Sequence, residues 1–436
     1  MGTIAGKIRP NACTGGPKVI GAPRLGSMQA ETTFYSSGGG ADARSGPEGI
    51  SSVGVICDYI EEGWPSMNLF GDMLVRYLDE NHSSEIAAQQ IRPAMRLRLS
   101  AIPFMSGQPA LRNADRLINR YYDYPAWLER VSRRFQVFHI VDHSYSQLVL
   151  KLPAERTVVT CHDLDTFRCV LDPAAEPRPR WFQNFVRRTL QGFRRAAHVV
   201  AVSQQTKAQL LRYGLVSEDR ITVIPPGVDP AYLSTTAPER PAGTSDRPAL
   251  AGPYLLHVGS TIARKRVDVL LRVFAEVRKA FPGLRLLRVG GKLTPDQREL
   301  AKGLGLDGAI VEAPPLSKAD LAKAYRGAEV LLQTSEAEGF GLPVIEALAT
   351  GCAVVASDLP ALREAGGTAA EYCGVGDIPG WAATVVRLLR ERETSAERWE
   401  TRRIAAERHA SRFTWPNHVR EMAKIYRRLA ESGAAA

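Results

Sequence analysis

Arg264 and Lys265 follow an apolar run at 254–259 (YLLHVG) and precede Val267, Leu270, Leu271, Phe274 and Val277, which recur at helical spacing. Two cations past a strand end, where a helix begins, suit an anion, because free amides and the positive helix end add to their charge. Position alone also allows a plain surface RKR triplet. A second stretch, 335–358 (SEAEGFGLPVIEALATGCAVVASD), places Glu338 and the flexible Gly339, Phe340 and Gly341 beyond the strand-like EVLLQTS. Pro343 suits the first turn of a helix ending near Gly351, so the amides of Gly341 and Leu342 face an incoming anion or hydroxyl. Glu338 on the loop and Glu346 one turn into the helix are carboxylates able to accept sugar or ribose hydroxyls. Two glutamates by themselves read first as a helix cap and an ordinary helix-surface residue; the glycines and the strand-turn-helix setting overturn that reading in favour of the binding role.

Strands are needed to carry these groups, and they recur. Short β-rich runs at 52–59, 138–141, 157–161, 198–203 and 221–227 alternate with helical stretches, the first spanning 67–78. Alternation restarts at 254–259, 284–290, 309–313, 329–335 and 353–358, predicting two doubly wound α/β halves of parallel sheet covered by helices. Ligands then bind past the carboxyl ends of strands, in the cleft between the halves. The expected divisions are a disordered leader at 1–50, a first domain at 51–233, a linker at 234–253, a second domain at 254–414, and a final helix at 415–436 that crosses back onto the first. His162 and Asp163 end the run TVVTC, His143 follows another strand, and Gly63 lies between the first strand and helix. A lone histidine is usually structural, and only the motif of the second half lifts His162 above that reading.

Lysine plus arginine total 56 against 46 acidic residues, a net charge of +10 that favours anionic partners. The arginines are spread along amphipathic helices rather than interleaved with aromatics, which argues against nucleic acid. In 92–98 (RPAMRLR) basic and apolar residues alternate as at a surface resting on lipid headgroups. No run of about 18 apolar residues and no compact signal stretch occurs, so the expected setting is cytoplasmic, with peripheral contact at the inner membrane face. The six scattered cysteines have no CxxC or zinc spacing and read as buried thiols.

The segment EGFGLPVIE resembles the E-x7-E signature of family 4 glycosyltransferases with the GT-B fold, and HVGSTIARKR resembles their phosphate-binding turn. The likeness extends through 324–333, 353–367 and 201–229. It implies two Rossmann-like domains facing a central cleft, and transfer of a hexose, with retention, from a nucleoside-diphosphate sugar to an acceptor hydroxyl on a glycan, lipid-linked sugar or small molecule. By that resemblance Glu346 binds the ribose, Glu338 the donor-sugar hydroxyls, and Arg264 and Lys265 the diphosphate. Gly339, Phe340, Gly341 and Leu342 approach sugar and phosphate through the backbone. His162 faces the donor sugar, and Gly259 and Gly63 lie in the glycine turns of the two halves. Relatives often carry Arg where this chain has Ser260, and a second glycine where it has Trp64. Asp163, Leu164 and Asp165 spell DxD, a metal motif of another glycosyltransferase fold; the resemblance implies that side-chain cations do that work, with no cofactor and no metal. A sugar-nucleotide 2-epimerase and an inactive nucleotide-binding scaffold remain open alternatives.

Overall fold

A computed structural model describes residues 51–102, 108–233 and 252–434. The expected leader therefore lies outside the described residues, as does the expected linker apart from Gly252 and Pro253. The first half holds β1 (Ser51–Ile56), β2 (Ile86–Ile91), β3 (Val137–Ile140), β4 (Thr157–Cys161), β5 (His198–Ala201) and β6 (Ile221–Val223), paired in the order β2-β1-β3-β4-β5-β6. The second holds β7 (Tyr254–Val258), β8 (Arg285–Val289), β9 (Ile310–Ala313), β10 (Val330–Gln333), β11 (Ala353–Ser357) and β12 (Glu371–Cys373), in the order β12-β11-β10-β7-β8-β9. All pairings are parallel. Central strands such as VVA and VLLQ are buried on both faces, which is why they read as unbroken apolar runs.

The order of the second sheet reverses between β7 and β10, and the two candidate stretches are the loops leaving these neighbours. The first sheet reverses between β1 and β3, from which the loops carrying Gly63 and His143 depart. A crevice past the carboxyl ends of strands at such a reversal is where doubly wound sheets take ligands.

Helix Val267–Ala280 buries Val267, Val269, Leu270, Leu271, Val273, Phe274 and Val277 over the second sheet. The last helix, Trp415–Ala434, sets Trp415, Val419, Met422, Ala423 and Tyr426 against Phe70, Met73 and Leu74 of helix Pro65–His82, and so covers the first sheet. Buried His139 on β3 joins the Tyr426 hydroxyl (2.6 Å) to Thr160 of β4 (2.7 Å); burial pushes its ring down to about 3, so it stays neutral. Where the chain leaves the first sheet it meets the start of that helix. Val228 N–H donates to Phe413 O at 2.8 Å, Val228 and Thr414 form a parallel bridge, and a Cβ on Gly227 would lie 2.4 Å from Trp415 N.

The pattern reading missed β2 and β12, both edge strands. β2 buries only its two terminal isoleucines, and β12 is three residues long, so neither supplies an apolar run. Of the lipid-like stretch 92–98, Arg92 contacts Asp72 at 3.6 Å and Arg98 forks onto Asp123 at 2.6 and 2.8 Å, while Leu97 is exposed. Cys57, Cys161, Cys169, Cys352 and Cys373 are buried free thiols. Among the described residues no helix is long and apolar enough to cross a membrane.

Candidate functional site

Arg264 and Lys265 occupy a short 3-10 turn, Ala263–Lys265, rather than the helix start expected from the sequence. The amides of Lys265 and Arg266 close that turn onto Ile262 and Ala263, so the attraction for an anion here comes from the side chains. Arg266 then adopts a left-handed backbone (φ 46), the one non-glycine residue to do so among the described residues. Such a conformation costs about 1 kcal/mol or more and persists only when surrounding contacts impose it. They do: its guanidinium forks onto Asp268 at 3.0 and 2.9 Å, and the Thr334 hydroxyl faces the carbonyls of Lys265 and Arg266 at 3.1 and 3.2 Å. The kink aims Lys265 toward the loop after β10.

Lys265 Nζ donates to Glu338 Oε1 at 2.7 Å. The same oxygen accepts from Ser335 Oγ and Gln333 Nε2, each at 2.6 Å. Burial alone would raise the Glu338 carboxyl, but the charge and hydrogen bond of Lys265, the Ser335 hydroxyl and the charge of Arg264 outweigh it and hold the group below its ordinary range. Glu338 is thus an oriented carboxylate. Gln333 and Ser335 were not singled out in the sequence, although their place at the strand end, three to five residues before Glu338, marks them. Gly259 sits at the foot of the turn, where a Cβ would lie 3.8 Å from Lys265 Cδ.

Gly341 (φ 111) caps helix Leu342–Ala349, and a side chain there would strike Leu362. Among the described residues no hydrogen bond engages the N–H groups of Gly341 or Leu342, which leaves two donors at the cleft. The Phe340 ring is buried against Phe413 at 5.5 Å, so only its backbone is available. Glu346 stands apart from Glu338 and accepts from the Tyr325 hydroxyl at 2.8 Å. Burial, with a smaller push from Asp229, raises its carboxyl to about 7.

The first half closes over this loop. Ser203 Oγ donates to Gly339 O at 2.6 Å, and a Cβ on Gly339 would lie 1.8 Å from His162 O. His162 itself bonds Val141 O through Nε2 at 2.8 Å and meets the Phe70 ring edge-on at 5.1 Å. Burial, partly opposed by Asp142, lowers its pKa, so the ring is neutral with Nε2–H donating. Asp163 accepts from the Asp165 amide at 3.0 Å and turns its second oxygen to Arg264 Nη2 at 3.4 Å, while Asp165 reaches Arg264 Nε at 2.8 Å. The DxD carboxylates are therefore the counter-charges of Arg264, a pairing across about a hundred residues that sequence spacing cannot display. His143 Nε2 lies 3.7 Å from Asp163. Gly63 is not drawn in: it is exposed, left-handed (φ 73), and its N–H closes a turn onto Ile60.

Beneath the first-sheet reversal lies a polar group the sequence reading passed over. The Asp58 side chain is buried; that of Glu62, also buried, lies 3.4 Å from Arg116 and 3.9 Å from Arg120, whose guanidinium stacks on Tyr145 at 4.0 Å. Burial, with the charge of the neighbouring Asp142, raises the Asp58 carboxyl well above its ordinary value.

Residues 72–232 match the model described as Glycosyltransferase Family 4, and residues 252–391 that described as Glycosyl transferases group 1. The D-inositol 3-phosphate glycosyltransferase of Segniliparus rotundus is 33% identical over 253 residues, which are 55% of this chain and 54% of that protein. The chain thus spans about half the length of the curated relatives it matches. Sucrose-phosphate synthase from Thermosynechococcus elongatus superposes with a TM-score of 0.68 at 20% identity, covering 88% of this chain and 100% of that one. Anabaena HepE, solved with UDP and glucose, gives 0.61 at 15% identity, covering 86% and 99%. Two parallel doubly wound sheets closing on one cleft, with both halves matched by family models, place this chain among the group 1, family 4 glycosyltransferases of GT-B fold.

Proposed function

We propose that this protein is a retaining hexosyltransferase that moves a sugar from a nucleoside-diphosphate sugar to an acceptor hydroxyl without a metal. The observation that carries the reading is the Lys265–Glu338 pair with Arg264 beside it, on loops from the two strands that flank the reversal of the second sheet. As the anomeric bond breaks, negative charge grows on the leaving diphosphate; Arg264, Lys265 and the free amides of Gly341 and Leu342 are in place before the reaction to stabilise it. Glu338, kept ionised, accepts donor-sugar hydroxyls, and Glu346 accepts those of the ribose. His162 lines the facing wall. No carboxylate is assigned as a covalent nucleophile, so the acceptor attacks from the face the diphosphate leaves, and a phosphate oxygen takes its proton.

The curated relatives are named for D-inositol 3-phosphate, which makes a polyol phosphate the first acceptor to assay, against a panel of UDP, GDP and ADP sugars. Lys265→Ala and Glu338→Ala should each abolish transfer while the thermal melting profile stays cooperative. Near-normal turnover in both variants would refute the assignment.

A further inference from the structure

Helix Arg180–Arg195, RWFQNFVRRTLQGFRR, carries five arginines and no acidic residue. Its inner face, Val186, Thr189, Leu190 and Phe193, is buried. Arg180, Arg187, Arg188, Arg194 and Arg195 all lie on the exposed side, along a helix about 24 Å long. Among the described residues none of the five forms an ion pair. What sets the helix apart is that its five arginines share one face with no carboxylate among them. Arg187, Arg188 and Arg195, with Leu150, Asn184 and Gln191, line an open depression of about 580 Å³. At the helix start Trp181 is 57% exposed, its indole against Phe182 at 5.9 Å.

We propose that this face docks on an anionic lipid bilayer. Unmatched arginines along a convex helix are complementary to a plane of phosphate charges, and each adds roughly fivefold to the partition coefficient. An indole standing out at one end is the side chain that settles at the headgroup level. The depression admits a headgroup phosphate against the planar guanidinium groups of Arg188 and Arg195, each able to bond it through two donors, with the charge of Arg187, held by Asn184 at 2.9 Å and Gln183 at 2.8 Å, beside them. Nucleic acid would instead call for aromatics spaced along the basic track, and here they gather at one end. The surface is therefore this helix, while the stretch 92–98 has its outer arginines, Arg92 and Arg98, committed to Asp72 and Asp123.

The test is co-sedimentation of the full chain with vesicles of phosphatidylcholine alone and of phosphatidylcholine with a quarter phosphatidylglycerol. The wild type should bind the anionic vesicles, release as salt is raised, and leave the neutral ones. Replacing Arg187, Arg188 and Arg195 together by Gln should cut partitioning on the order of a hundredfold, with circular dichroism and melting unchanged because these side chains are exposed. Trp181→Ala should weaken it further. Equal binding by the triple variant, equal binding to neutral vesicles, or no binding by the wild type would each overturn the proposal. So would capture of single-stranded RNA in place of vesicles, lost in the same variant.

Discussion

If Glu346 takes ribose hydroxyls, nucleotide binding should strengthen as pH rises through about 7, the value to which burial lifts this carboxyl. A ribose O–H donates to the ionised form, so binding and ionisation favour each other. Tyr325, whose hydroxyl burial keeps protonated, supports the same state through its 2.8 Å bond to Oε2. For one group titrating near 7, the ionised fraction climbs from about a tenth at pH 6 to about nine tenths at pH 8. Affinity should follow it, by about tenfold. Calorimetric titration with whichever of UDP, GDP or ADP binds, at pH 6, 7 and 8, should be run in parallel on Glu346→Gln. The diphosphate's own titration cancels in the ratio of the two proteins. A ratio that stays flat across this range would show that Glu346 does not meet the ribose. The folded pKa exceeds the ordinary 4.5, so the native state holds the proton more tightly than the unfolded chain. Stability tied to that proton is complete below about 4.5 and is lost as pH rises through about 7. At pH 8 Glu346→Gln should thus be the more stable protein, by at most about 3 kcal/mol, measured by denaturant unfolding.

Asp165→Asn removes the counter-charge nearest Arg264; a half-exposed pair is worth up to about 1 kcal/mol, so inorganic pyrophosphate should bind a few-fold more tightly. Unchanged affinity would mean that Arg264 does not face the anion. Gly339→Ala puts a carbon 1.8 Å from His162 O, a backbone atom that cannot swing away, where about 3.3 Å is needed. The halves must part by about 1.5 Å, and kcat/KM should drop about a hundredfold; a fully active variant would place the working cleft elsewhere.

The central strands and the E-x7-E loop were legible because each is local. TVVTC is buried at every position and coincides with β4, and Gly341 adopts the left-handed cap its neighbours demand. What escaped is non-local or balanced by packing. Asp165 looked like half a metal motif because Arg264 lies 99 residues away in the chain. Arg266 gave no sign of its backbone kink, since nothing in RKR requires a positive φ and the contacts that impose it come from Asp268 and Thr334. Arg288, inside LRLLRVG, read as an ordinary strand residue; it is fully buried, and its guanidinium donates to Gly259 O at 3.2 Å.

Where Val228 is laced to Phe413 and Thr414, the outgoing and returning passages of the chain share one spine. A widening of the mouth that kept this seam would be a swing about it, as a book opens, rather than a slide. Phe413 also rests on Phe340, the residue between the two glycines that follow Glu338. Any turn at the spine therefore pulls directly on the loop that would clasp the sugar.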